Sequence, residues 1–220
     1  MKQLAAFDRV YFVGIGGIGM SALARFFKFT GKQVAGYDKV ETVLTQQLAE
    51  EGMAIHYEDL ADEIPSDYRS PKNTLVVYTP AIKALGELTF FQEKGFQIMK
   101  RAEVLGALTQ TYKGLCVAGT HGKTTTSSLL THLLTEIEVG CTSFLGGIAS
   151  NFESNLVLHA ESPYAVIEAD EFDRSFLQLS PFAAIVTAAD ADHLDIYGSE
   201  DAFVEGFRQF TMRVDPKGFC

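Results

Sequence analysis

The stretch that most constrains this chain is Gly119-Thr120-His121-Gly122-Lys123-Thr124-Thr125-Thr126. An apolar run, Leu115-Cys116-Val117-Ala118, precedes it and reads as a short buried strand. Ser127 to Leu134 follows and reads as a helix with apolar residues at helical spacing. Strand, glycine loop, Lys-Thr and helix is the order that a phosphate-binding loop requires. Glycines let backbone N–H groups turn inward onto phosphate oxygens. Lys123 has the reach for the terminal phosphates, and the Thr124 hydroxyl suits Mg²⁺. The usual spacing wants a further glycine at the position of Val117, and Gly119 comes two residues later, so the loop is a shortened variant. The alternative is a glycine-rich turn without a ligand, which would have no need of the Lys-Thr pair.

A second glycine loop lies near the start. Arg9 to Val13 reads as a strand, and Gly14-Ile15-Gly16-Gly17-Ile18-Gly19 follows with GxGxxG spacing. A helix then runs through Met20 to Phe27 and stops at Gly31. Gln33 to Tyr37 reads as the next strand, ending at Asp38. In dinucleotide-binding folds an acid at that place bonds a ribose hydroxyl. Further strands are expected at Met53–Tyr57, Thr74–Tyr78 and Phe96–Met99, alternating with helices at Glu41–Glu51, Leu85–Lys94 and Arg101–Gln110. That alternation predicts a doubly wound parallel sheet. The pattern restarts at Leu115, with later strands at Tyr164–Ile167 and Phe182–Val186 and a helix over Glu200–Met212. Phe203, Phe207 and Phe210 are core candidates on that helix. Two domains are expected, 1–110 and 111–220. The residues from Asp215 to Cys220 read as the lead-in to a further strand.

Two acidic clusters sit where strands of the second domain end. Glu168-Ala169-Asp170-Glu171-Phe172-Asp173 follows one, and Asp190-Ala191-Asp192-His193-Leu194-Asp195 follows another. Carboxylates crowded at a strand end need a positive partner. In a parallel sheet that edge is where ligands bind. Mg²⁺ with nucleotide phosphates would supply the charge. A solvated acidic turn is the alternative for each cluster alone. His56, His132 and His159 have no partners legible in the sequence. The formal net charge of −10 argues against general binding to nucleic acid or anionic membrane. No apolar run approaches the length of a membrane span. Cys116, Cys141 and Cys220 have no metal-binding spacing and read as reduced thiols of a cytoplasmic protein.

Taken together, several segments resemble the Mur ligase family of ATP-dependent amide ligases. They are Val13 to Ser21, Arg101-Ala102-Glu103-Val104-Leu105, Gly119 to Thr126, Glu168 to Glu171 with Ser175-Phe176-Leu177, and Asp190 to Asp195. The shortened phosphate loop is this family's version. The resemblance implies a Rossmann-like parallel-sheet domain that binds a UDP-sugar, followed by an incomplete P-loop-type α/β domain that binds ATP. A C-terminal ligase domain is absent from this sequence, so the chain is expected to bind substrate without turnover. The branch of the family that it resembles uses UDP-N-acetylmuramate and L-alanine as substrates and ATP with Mg²⁺ as cofactors, in peptidoglycan biosynthesis. A branch that recycles a tripeptide shares the phosphate loop. An NAD-dependent oxidoreductase built on Gly14–Gly19, or a binding module without catalysis, are readings from other classes.

By the resemblance, Gly14, Ile15, Gly16, Gly17, Ile18 and Gly19 lie under the diphosphate, with Asp38, Thr79 and Arg101 nearby. Gly119, Thr120, His121, Gly122, Lys123, Thr124 and Thr125 cradle the ATP phosphates. Lys123, Glu168 and His193 carry the catalytic work, and Thr124, Glu168 and His193 hold metal. Two departures stand out: Ala188 replaces a usual Asn, and Arg208 lies where several relatives have a carbamylated Lys. Oligomeric state is not readable.

Overall fold

A computed structural model describes residues 2–79, 82, 85–190, 192 and 194–220. The chain divides into two compact units, Met1–Val104 and Leu105–Cys220. The first is a five-stranded parallel sheet. Its strands are β1 (Arg9–Val13), β2 (Gln33–Tyr37), β3 (Ala54–His56), β4 (Thr74–Tyr78) and β5 (Gln97–Lys100), in the order β3-β2-β1-β4-β5. β1 pairs with β2 on one side and β4 on the other, so the strand order reverses at β1. A ligand crevice opens beyond the C-terminal strand ends at such a switch point. The helices are α1 (Lys2–Ala5), α2 (Ile18–Phe29), α3 (Val43–Glu50), α4 (Gly86–Glu93) and α5 (Arg101–Thr109), the last crossing the division between the units. Thr42 opens α3 with a capping box shared with Thr45. Gly31 and Gly52, at φ 82° and 85°, stand just beyond α2 and α3, where a left-handed residue closes a helix. Tyr11, Phe12 and Val13 are fully buried, as the apolar run of β1 requires with helices on both faces.

No partner of His56 is visible in the sequence, and the fold supplies three. Its Nε2 lies 2.7 Å from the Tyr11 hydroxyl and 3.3 Å from Glu87 Oε1, and Tyr11 donates to Glu87 Oε2 at 2.6 Å. Nδ1 faces the Glu58 carbonyl at 3.0 Å. Glu87, in the first turn of α4, is fully buried. Desolvation lifts its carboxyl to about 7, and desolvation lowers His56. Glu87 thus holds a proton in the fold that an unfolded chain releases near pH 4.5. Its contribution to stability is therefore greatest in acid and is lost as pH rises through about 7. Glu87→Gln should flatten that slope and be more stable than wild type at pH 8, by about 2 kcal/mol. Urea unfolding at pH 5 and pH 8 reads the difference, and parallel profiles for the two proteins would contradict it.

The second unit holds β6 (Lys113–Ala118), β7 (Thr142–Ala149), β8 (Ser154–Val157), β9 (Tyr164–Glu168) and β10 (Ala183–Val186), in the order β10-β6-β9-β7-β8. β6 pairs in parallel with β9 and β10, and β7 in parallel with β9, but β7 and β8 are antiparallel. The sheet is therefore mixed. That hairpin was not expected: Gly146 and Gly147 interrupt the apolar run of β7, and Ser154-Asn155 opens β8. The helices are α6 (Lys123–Glu136), α7 (Leu194–Tyr197) and α8 (Glu200–Thr211). α8 buries Phe203, Phe207 and Phe210, with Phe210 stacked on Phe176 at 5.1 Å. Phe219 forms a parallel bridge to Ala183. α6 departs from its apolar pattern. It buries Ser127 and Thr131, while Leu129 and Leu133 remain about half exposed at 55% and 51%. Thr131 is satisfied inward, donating to Ser143 Oγ or to the Ser127 carbonyl, each at 2.8 Å. Among the described residues no helix is long and apolar enough to cross a membrane.

Candidate functional site

In the second unit, β6, β9 and β10 end side by side: Ala118 pairs with Val186, and Val117 with Glu168. The phosphate loop leaves β6 at this edge. Gly119 has φ 135°, a value open to glycine and strained for other residues. A Cβ there would collide with Thr187 Oγ1 and meet the Ala188 N and O at 2.9 Å. The loop is tied to the segment after β10. Thr187 Oγ1 lies 2.5 Å from the His121 carbonyl and 3.2 Å from that of Ala118, Thr120 N–H donates to Ala188 O, and Thr120 Oγ1 donates to Asp190 O. Gly122, at φ 78°, turns the chain into α6. The first ladder bond of α6 is Thr126 N–H to Gly122 O. The N–H groups ahead of it form the positive end of a fourteen-residue helix, suited to phosphate.

Lys123 is the first residue of α6. Its Nζ donates to Gly119 O at 2.7 Å and sits 2.9 Å from Glu171 Oε1. Glu171 is buried, and its Oε2 has no hydrogen-bond partner among the described residues. Tyr197 Oη donates to the Glu171 carbonyl at 2.6 Å. Glu168 accepts from Gly146 N–H at 3.0 Å, and a Cβ at Gly146 would strike its carboxylate. A Cβ at the next residue, Gly147, would touch Thr124 Cγ2 at 3.5 Å. Glu168 and Thr124 therefore both approach the Gly146–Gly147 stretch of β7, and those glycines leave them room. One carboxylate and one hydroxyl beside a phosphate cradle is a donor set that fits Mg²⁺, which keeps waters and phosphate oxygens as its remaining ligands. Among the described residues no three His, Cys, Asp or Glu side chains gather as a metal cage. His193, named from the sequence as a metal and catalytic residue, lies outside the described residues. Thr125 and His121 are exposed. Arg208 is exposed on α8, 3.6 Å from Glu205.

The first unit has its own loop at the C-terminal edge of β1. Gly14 and Ile15 N–H groups both donate to the Tyr37 carbonyl, at 2.8 and 3.0 Å. Ile15 is a core side chain, fully buried, so it presents backbone alone to any ligand. Asp38 Oδ2 accepts from Gly16 N–H at 2.7 Å, and Oδ1 accepts from Val40 N–H at 3.2 Å. The acid read as a ribose contact thus also fixes the loop. Thr79 lies 3.6 Å from where a Gly14 Cβ would stand, and the Arg101 guanidinium fills the space beside Gly19. Gly14, Gly16, Gly19, Asp38, Thr79 and Arg101 are gathered at one end of one sheet. Gly17 is exposed, and Ile18 opens α2. Sequence reasoning missed Glu171 as the partner of Lys123. Its place in the acidic cluster was visible, but the 48-residue separation hid the pairing.

The profile of the Mur ligase family catalytic domain matches residues 9–113, and that of the Mur ligase middle domain matches residues 117–220. A UDP-N-acetylmuramate–L-alanine ligase from Phocaeicola vulgatus is 57% identical over 210 residues, covering 95% of this chain and 46% of the relative. One of the same name from Parabacteroides distasonis is 58% identical over the same shares. The chain spans about half the length of the curated relatives it matches. Among solved structures, the UDP-N-acetylmuramate–alanine ligase of Thermotoga maritima superposes with a TM-score of 0.84 at 32% identity, over 94% of this chain and 47% of that one. The UDP-N-acetylmuramate:L-alanyl-γ-D-glutamyl-meso-diaminopimelate ligase of Neisseria meningitides gives 0.86 at 26% identity, over 97% and 70%.

Proposed function

The chain belongs to the Mur ligase family, and from that premise we propose that it is the substrate- and nucleotide-binding part of an ATP-dependent ligase that joins L-alanine to UDP-N-acetylmuramate in peptidoglycan biosynthesis. The observation that carries the reading is the Gly-Lys-Thr loop opening α6 beside Glu168 at the adjacent strand end. The 57–58% identity to L-alanine ligases favours that acceptor over the tripeptide, whose ligase is 26% identical.

In this reading the first unit holds the UDP-sugar. Gly14–Gly19 and the N-terminus of α2 face the diphosphate, Asp38 keeps the loop in shape, and Thr79 and Arg101 flank it. The second unit holds ATP. The N-terminus of α6 and the loop amides take the phosphate oxygens, and Lys123 neutralises the terminal phosphates. Mg²⁺, held by Thr124 and Glu168, supplies further charge neutralisation there. The muramoyl carboxylate attacks the γ-phosphorus and ADP leaves, giving an acyl phosphate. The amine of L-alanine then attacks the acyl carbon, losing a proton as phosphate departs. The protein's part is alignment and charge stabilisation. NAD chemistry is disfavoured because it has no use for Lys123 and Thr124. Calorimetric titration of Mg-ATP into the 220-residue chain tests the nucleotide assignment. Saturable binding is expected, and no binding would contradict it. The compartment that fits this chemistry is the cytoplasm, where nucleotide substrates are made.

A further inference from the structure

Glu171 is the buried group at this site for which the ligase reading has no task. Two hydrogen bonds fix its backbone, and a contact between their donors braces them. Tyr197 donates to its carbonyl, Arg174 N–H donates to the same oxygen at 3.0 Å, and the Arg174 guanidinium lies 4.8 Å from the centre of the Tyr197 ring. Its side chain is 2% exposed, with one carboxylate oxygen on Lys123 and the other without a hydrogen-bond partner among the described residues. A carboxylate so placed is stable only while a cation is beside it. The Lys123 ammonium has its other contact with Gly119 O, the loop's own backbone, so it is folded back over the place where phosphate oxygens would sit. A triphosphate arriving there meets a lysine already neutralised and a negative charge behind it. Taken with the nucleotide assignment above, on which it rests, we propose that Glu171 is the positioning residue of the phosphate loop. It holds Lys123 in the nucleotide-free state, and binding exchanges this one carboxylate for the terminal phosphates.

The exchange has a sign that a merely structural ion pair lacks. Removing the negative charge while keeping the side chain's shape should strengthen anion binding. Glu171→Gln is expected to bind Mg-ATP and inorganic tripolyphosphate about tenfold more tightly than wild type, because a unit charge a few ångströms from the phosphates is removed at an intermediate dielectric. It should also leave Lys123 several-fold more reactive toward an acylating reagent, read by peptide mass spectrometry without nucleotide. Wild type that binds Mg-ATP, beside a Gln variant that binds no more tightly, would overturn the exchange alone. No saturable binding of either probe to either protein would overturn it together with the nucleotide assignment. If Glu171→Gln does not fold, Glu171→Asp keeps the charge but draws it back from Nζ. Faster acylation of Lys123 in that variant supports the exchange, and an unchanged rate overturns it.

Discussion

Gly119→Ala is expected to lose about 3 kcal/mol of stability in the second unit and to abolish Mg-ATP binding. Two effects add. A side chain at φ 135° is strained wherever it sits, by about 1–3 kcal/mol. The new methyl would also strike the Thr187 hydroxyl and press on the Ala188 backbone, neither of which can swing away as the tip of a long side chain can. Thr187 bridges the Ala118 and His121 carbonyls, so displacing it releases the loop from the segment after β10. Urea unfolding reads the first effect and calorimetry the second. Gly95→Ala is the matched control: it also has positive φ, but open space surrounds it, and it lies in the other unit. Its loss should stay within about 1 kcal/mol, with Mg-ATP binding intact. Equal stability losses at the two positions would show that contact at Gly119 adds nothing.

Lys123→Ala should reduce Mg-ATP affinity by about a hundredfold, the scale of losing a charge-assisted contact to phosphate. It should also destabilise the free protein by about 2–3 kcal/mol, because it strands the buried carboxylate of Glu171. The figure is set below that for a fully buried pair because the Lys123 side chain retains 17% exposure. The double variant Lys123→Ala/Glu171→Gln should regain most of the stability and about tenfold of the lost affinity, because the Glu171 charge is gone while the lysine's own contact stays lost. A double variant as unstable as Lys123→Ala would show that the lost stability does not come from the stranded charge. Undiminished Mg-ATP binding by Lys123→Ala would remove the lysine from the phosphate site.

Local signals carried much of this fold. The apolar runs at Arg9–Val13 and Thr74–Tyr78 are bounded by the residues that end them, and both strands lie at those residues. Gly31 and Gly52 mark helix ends because they adopt a conformation that other residues avoid. The glycine loops are legible for the same reason, since their shape is written into adjacent residues. What escaped was set at a distance. Glycines 146 and 147 make β7 look like a loop, yet they are the residues that give the Glu168 carboxylate and Thr124 their space. His56 finds Tyr11 only after β1, β2 and β3 pair in parallel, and Glu87 reaches both from α4. α6 hides hydroxyls because Ser143 of β7 stands across from Thr131, which no helical period reveals. Sequence identified the acidic run from Glu168 to Asp173 as one cluster. The fold divides its work: Glu168 turns to Gly146 and Glu171 to Lys123.

Parallel calorimetric titrations of the 220-residue chain with UDP-N-acetylmuramate and with NAD test the central claim most directly. Saturable binding of the UDP-sugar, with no heat from NAD, is the expected result. Tight binding of NAD with none of the UDP-sugar would contradict the assignment of the Gly14–Gly19 loop and the ligase reading built on it.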